Sequence, residues 1–274
     1  MTTLTYGMPG NVDAARIREI LLTDRAWAVY ALADLAPEYS MHAHWVTAPE
    51  GHPALLLIYR GFQPPVLFAH GATADLAGLI TALAQEPEFY LSVRPDFLAL
   101  MTAAGYRIRS EKRMWRMLLD AREFEPAEAK TARLGPGDLD DLQHLYCDGE
   151  AAGEAPLFFD PSMLSCGVYY GVREDGSIVA AAGTHVLATD ESIAAIGNVY
   201  TRRDRRGRGL GTQAASAVAG ELLRLGIQTI ALNVEESNVA AGRIYSRLGF
   251  RRYCAYREGA AIRVDLNGPS ARAR

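Results

Sequence analysis

One stretch constrains this chain more than any other: a strand runs into a glycine-rich turn that opens directly into a helix. It reads Val199-Tyr200-Thr201-Arg202-Arg203-Asp204-Arg205-Arg206-Gly207-Arg208-Gly209-Leu210-Gly211-Thr212. A phosphate comes close to a backbone only where side chains are missing, and the N–H groups of a helix start then point at it with the favourable end of the dipole. Glycines 207, 209 and 211 stand directly before helical spacing at Ala214, Val218, Leu222 and Leu225, so they read as a phosphate cradle rather than a slack loop. Arginines 202, 203, 205, 206 and 208 add positive charge beside it.

Two other phosphate loops share features with this turn. No Gly-Lys-Ser/Thr follows it, which excludes a P-loop nucleotidase. A dinucleotide fingerprint fits the spacing in one frame, Gly209-x-Gly211-x-x-Ala214. Topology argues against it, because the strand before the turn closes an antiparallel meander and the remaining chain is too short for a doubly wound sheet. The meander reads from residues 168–172, 178–187 and 192–200, with turns at Glu174-Asp175-Gly176 and Thr189-Asp190. After the turn come a helix over 212–225 stopped by Gly226 and a strand over 229–234. A helix over 238–248, capped by Ser237 or Asn238 and ended by Gly249, then leads to a strand over 250–256. Upstream, the same unit opens with a strand over 131–134, a turn at Gly135-Pro136-Gly137 and a helix from Asp138 to Tyr146 that the Asp138 side chain is placed to cap. Residues 147–161 read as a loop.

On these residues the chain resembles the GCN5-related N-acetyltransferase (GNAT) superfamily. That family's pyrophosphate motif is Arg or Gln, two residues, Gly, one residue, Gly or Ala, and Arg206, Gly209 and Gly211 stand at those positions. Leu232-Asn233-Val234, Asn238, Ala241, Ile244-Tyr245 and Leu248-Gly249-Phe250 resemble its second signature, in the right order. The resemblance covers about half the chain and implies acetyl-CoA as co-substrate. Its pyrophosphate would lie on Arg206, Gly207, Arg208, Gly209, Leu210, Gly211 and Thr212, its pantetheine along Asn198, Val199, Tyr200 and Thr201, with a further contact from Asn238. Asn238 is equally a helix cap, and the two roles are compatible.

The resemblance further implies N-acetyl transfer to a primary amine of a small molecule or amino acid by direct attack, with Tyr245 as the general acid that protonates the leaving thiolate. Tyr245 also sits one helical turn from Ala241 and Leu248, where an aromatic fills core. The base is less legible. Several family members carry a glutamate about eleven residues before the motif's first arginine, and here that position is Ala195. Glu150, Glu154, His185 and Glu235 are substitutes, each with an ordinary surface reading beside it; His185, on the preceding strand, is preferred.

The first half repeats the plan of the second. Residues 11–36 read as two short helices ended by Pro37, 54–59 and 65–69 as buried strands, 74–85 as a helix, 89–93 as a strand, 96–104 as a helix and 106–119 as a strand. The last three elements match 229–256 in order. The expected fold class is therefore α/β (α+β), with two GNAT-like domains, each a mixed, mostly antiparallel sheet flanked by helices. A degenerate one spans 1–125 and the acetyl-CoA-binding one 130–274, joined by the charged stretch 120–130, in a layout similar to glycine N-acyltransferase-like enzymes. His70-Gly71-Ala72-Thr73 lacks the arginines and spaced glycines, so no CoA is expected in the first half. Residues 269–274 read as a frayed tail.

The totals remove other classes. A formal net charge of −4 gives no global attraction to nucleic acid or anionic membrane, and the arginine run has no interleaved aromatics. Three cysteines without C-x-x-C spacing indicate neither a disulfide framework nor a zinc site, and His42-x-His44 has no supporting ligands, so no metal is expected. No Gly-x-Ser-x-Gly elbow supports a serine hydrolase. Met1 to Tyr6 shows no secretory pattern, and no apolar run reaches membrane-spanning length, so a cytoplasmic protein is expected, as monomer or homodimer. The alternative function is a CoA-binding or interaction module with little catalysis, motivated by Ala195 and the first half.

Overall fold

The computed structural model describes residues 13–128, 130–156 and 158–264. The chain forms two compact units built from interleaved segments. One takes the described residues up to Asp24, Asp34–Met114 and those from Ala255 on; the other takes Arg25–Ala33 and Trp115–Cys254. The expectations for Met1 to Tyr6 and for 269–274 fall outside the described residues. Among those described, no helix is long and apolar enough to cross a membrane.

The first unit carries α1 (Ala14–Leu22), α3 (Pro37–Ser40), β1 (Ala43–Thr47), β2 (Leu55–Tyr59), β3 (Val66–His70), α4 (Thr73–Ala77), β4 (Glu88–Val93) and α5 (Phe97–Ala103). It also takes residues 106–114 of β5 (Tyr106–Leu119) and 255–263 of β11 (Phe250–Arg263). β1 and β2 pair antiparallel, as do β2 and β3, whereas β3 and β4 run parallel. Leu56, Ile58, Leu67, Phe89, Leu91, Phe97 and Met101 form its core, each buried side chain of this size contributing about 1.5–3 kcal/mol. Two expectations change here. Residues 74–85 are not one helix: α4 stops at Gly78, whose N–H bonds back to Asp75 and Leu76, and a separate 3₁₀ turn, Ile80–Gln85, follows. Pro37 does not end a helix but opens α3, where its missing N–H costs nothing.

The second unit carries α2 (Val29–Ala33), β6 (Ala132–Arg133), α6 (Leu139–Glu150), α7 (Met163–Cys166), β7 (Tyr169–Glu174), β8 (Ser177–Ala188), β9 (Ile193–Thr201), α8 (Leu210–Arg224), β10 (Thr229–Glu235) and α9 (Val239–Arg247). The pairing sequence of the first unit recurs: β7–β8 and β8–β9 antiparallel, β9–β10 parallel. On one face Ala214, Ala215, Val218, Ala219 and Leu222 of α8 pack with Ala194, Ile196, Leu232, Val234 and Tyr245. On the other, Leu142, Leu145 and Tyr146 of α6 pack with Tyr169, Ala181 and Tyr200. α6 runs further than its sequence pattern, to Glu150, and the Asp138 side chain does not cap it. That carboxylate instead accepts from the Gly135 N–H at 2.9 Å and pairs with Arg173 at 2.6 Å.

Candidate functional site

The site begins where two parallel strands part. Registered pairs between β9 and β10 run from Ile193–Thr229 to Ile196–Leu232 and stop, although β9 continues to Thr201 and β10 to Glu235. Beyond Ile196 the backbone of Asn198, Val199, Tyr200 and Thr201 has β8 on one side only, which leaves an open sheet edge of the kind an extended ligand adds to.

The glycine turn follows at once. Gly207 and Gly209 have φ of +78° and +77°, a region that costs other residues strain, and neither position would crowd a Cβ, so backbone conformation alone demands glycine there. Gly209 is the N-cap of α8, putting the first N–H groups of Leu210, Gly211 and Thr212 at the turn without intrahelical partners. Gly211 serves approach instead, since a Cβ there would come within 2.8 Å of Thr201 Oγ1.

The arginines of the turn are held by carboxylates. Arg206 donates to Thr201 O at 3.2 Å and to Glu154 at 2.6 Å, with its guanidinium 5.5 Å over the Tyr200 ring. Arg208 and Arg205 meet Glu174 at 2.7 and 2.9 Å, Arg202 meets Asp204 at 2.7 Å, and Arg203 lies 3.6 Å from Asp148. Arg206 and Arg208 hold the carboxyls of Glu154 and Glu174 below the usual range. These pairs are exposed enough to exchange for a phosphate at small cost.

α9 brings two expected residues. Asn238 caps it, accepting from the Ala241 N–H at 3.1 Å. Tyr245 is 8% exposed, packed edge-on against Phe250 in the cluster that includes Val199, and burial pushes its hydroxyl up to about 12. It therefore carries its proton at neutral pH.

His185 is not the surface residue its ordinary reading suggested. It occupies a bulge, lying between Thr184, opposite Ile196, and Val186, opposite Ala195. Its ring rests on Gly197, where a Cβ would collide with the imidazole. β9 carries a second bulge close by, at Asn198, whose φ is +50°. The two bulged residues meet: His185 Nε2 lies 2.9 Å from Asn198 Oδ1. Asn198, 4% exposed, donates from Nδ2 to the Tyr169 hydroxyl at 2.7 Å, and its carbonyl accepts from Tyr146 at 3.0 Å. On the other side His185 Nδ1 lies 3.2 Å from the Tyr30 hydroxyl, Asn233 Nδ2 lies 3.3 Å from that hydroxyl, and Arg116 Nε donates to Asn233 Oδ1 at 2.7 Å. Burial pushes the His185 imidazolium pKa down, so the ring is neutral at neutral pH.

The geometry thus divides the expected residues between the two faces. Leu232 and Val234 point to the α8 and α9 face with Tyr245, so Asn233 between them points to the opposite face, with Tyr30 and His185. Ala195, where a glutamate base was sought, is fully buried, and Glu154 is engaged with Arg206. Sequence reasoning missed Tyr30 and Arg116 as polar partners. Tyr30 reads as an apolar helix position, and the two lie far in sequence from His185 and Asn233; the one local signal was Asn233 itself, a polar residue in an apolar strand.

Residues 138–250 match the family model described as acetyltransferase (GNAT) family. Residues 138–250 thus form a GNAT domain. The chain's relatives include a mycothiol acetyltransferase of Parafrankia sp. (strain EAN1pec), 28% identical over 222 residues, an alignment taking in 69% of this chain and 63% of that protein. The chain therefore spans less than two thirds of that relative's length. Among solved structures, a GCN5-related N-acetyltransferase from Sphaerobacter thermophilus has a TM-score of 0.62 at 21% identity over 96% of both chains. A tandem GNAT protein from the clavulanic acid biosynthesis pathway has a TM-score of 0.56 at 13% identity, over 94% of this chain and 97% of the other. Both are likenesses of the GNAT fold. Among the described residues, no group of three or more His, Cys, Asp or Glu side chains is placed to hold a metal ion.

Proposed function

We propose that this GNAT protein transfers an acetyl group from acetyl-CoA to a primary amine of a small molecule. The observation that carries the reading is the coincidence of the β9–β10 parting with the left-handed glycine turn at the start of α8. An extended thioester arm laid along 198–201 has its pyrophosphate at 206–212 and Asn238 beside it. The open edge supplies backbone groups to orient the thioester, and holding it in line with the amine supplies much of the acceleration. Tyr245, still protonated at neutral pH, gives its proton to the departing thiolate. His185 on the opposite face receives the proton the amine loses. A small acceptor is favoured by the Parafrankia relative, whose name couples acetyl transfer to mycothiol rather than to a protein.

The test is thiol release from acetyl-CoA against a panel of amino acids, amino sugars and polyamines, with calorimetry for CoA binding. Turnover with at least one amine supports the reading. CoA binding without turnover across the panel would instead favour a binding module, and no CoA binding would remove both.

A further inference from the structure

A row of hydrogen bonds through the second unit has a direction that its two amide side chains set. Arginine only donates, so Arg116 fixes Asn233 with Oδ1 toward the guanidinium and Nδ2 toward the Tyr30 oxygen. At the other end Asn198 offers His185 Nε2 an oxygen that only accepts, so the neutral ring is bare at Nδ1 and accepts there from the Tyr30 hydroxyl. The remaining imidazole proton sits on Nε2 and is given to Asn198 Oδ1, leaving Nδ2 to donate to Tyr169, whose hydroxyl donates to the Thr184 carbonyl at 3.3 Å. Arg116 is anchored by the Ala26 and Trp27 carbonyls at 3.3 and 3.0 Å and lies over the Trp27 and Tyr30 rings, 5.3 and 5.0 Å from their centroids. All these residues belong to one compact unit.

The arrangement caps Nε2 with a buried amide and places the Tyr30 hydroxyl at Nδ1. We propose that Tyr30 and His185 form a two-step proton relay that replaces the family's carboxylate base, with Asn198, Asn233 and Arg116 as positioning residues. This rests on the acetyl-transfer reading. As the amine nitrogen bonds to the thioester carbonyl carbon it becomes acidic. Its N–H bond breaks while an O–H bond forms on Tyr30, whose own O–H breaks as an N–H forms on His185 Nδ1. The carbonyl re-forms, the C–S bond breaks and the thiolate takes a proton from Tyr245. The imidazolium returns its proton, through solvent, to the Tyr245 phenolate, and the balance closes as amine plus thioester giving amide plus thiol. Burial disfavours the imidazolium, which speeds that return.

Two measurements on the full chain test the relay. In the first, Tyr30→Phe keeps the ring over Arg116 and should lower kcat roughly 10²–10⁴-fold, with the KM for acetyl-CoA and the melting temperature nearly unchanged. His185→Gln should do the same and abolish the acid limb of the pH profile, and the double variant should be no slower than the worse single. The groups facing His185 that bear on that limb are Tyr30, Tyr169 and, behind Tyr30, Arg116. A Tyr30→Phe variant within twofold of wild type, or additive singles, overturns the relay. In the second, ¹⁵N spectra of histidine-labelled protein, assigned with His185→Gln, should show His185 protonated at Nε2 and bare at Nδ1, with the Nδ1 signal moved by Tyr30→Phe. An Nδ1–H tautomer overturns the relay even if no amine is turned over, whereas absent turnover with the expected tautomer counts against the acetyl-transfer reading alone.

Discussion

Tyr245 and the carboxylates around Arg206 work through opposite electrostatic situations. The tyrosine hydroxyl is buried and pushed up to about 12, so Tyr245→Phe removes a proton that is present throughout the neutral range. The expected outcome is a kcat reduced roughly 10²-fold or more in a thiol-release assay, with CoA affinity by calorimetry unchanged. Glu154 and Glu174, by contrast, occupy the arginines a phosphate needs. Glu154→Gln should tighten CoA binding, by less than about fivefold for so exposed a pair, and added salt should shrink the difference. The motif arginine, Arg206, was legible because a fixed spacing of local residues defines it. The base was not, because His185 becomes useful only through Tyr30, Asn198 and Asn233, and no local pattern joins them.

At the scale of elements, the stop of α8 was readable at Gly226, whereas its start lies at Leu210, two residues before the Thr212 read from the spacing; both ends rest on glycine at a positive φ, Gly209 before the helix and Gly226 after it. The stop is completed by Ile227 and Gly226 N–H groups bonding to Leu222 and Leu223, each at 3.0 Å. Gly209→Ala should cost about 1–2 kcal/mol in denaturant unfolding, from backbone strain alone, because a Cβ meets nothing there. CoA affinity should fall with it. β1 carries no clear signal, since Ala43–Thr47 mixes histidine and threonine into a short run that becomes a strand only by pairing with Leu55–Tyr59. The bulges at His185 and Asn198 were equally silent, because alternation over 178–187 and 192–200 predicts strands without saying which residue is extra.

For the whole chain, the interleaving of segments limits how it can be cut. A fragment of residues 130–274 lacks Arg25–Ala33 and Trp115–Leu119, which belong to the same compact unit as α8 and α9. Such a fragment should lack a cooperative thermal transition by circular dichroism. Acid should weaken the intact chain in a definite direction. Burial lowers the pKa values of His44, His70 and His185, so as pH falls below the ordinary value of about 6.5 the unfolded chain takes up more protons than the folded one, and stability drops. The melting temperature should fall between pH 7.5 and pH 5.5, and His185→Gln should flatten part of that slope. The paired bulges have a consequence of another kind. Ala181–Tyr200 on one side and Val186–Ala195 on the other lie in the same pairing frame, and only the short stretch between the bulges is shifted. Each slip undoes the other. Deleting His185 or Asn198 alone would close its own bulge and leave the flanking pairs facing as they do now, and deleting both would leave an uninterrupted ladder. The histidine and the asparagine that faces it are thus a paired insertion, separable from the sheet that holds them.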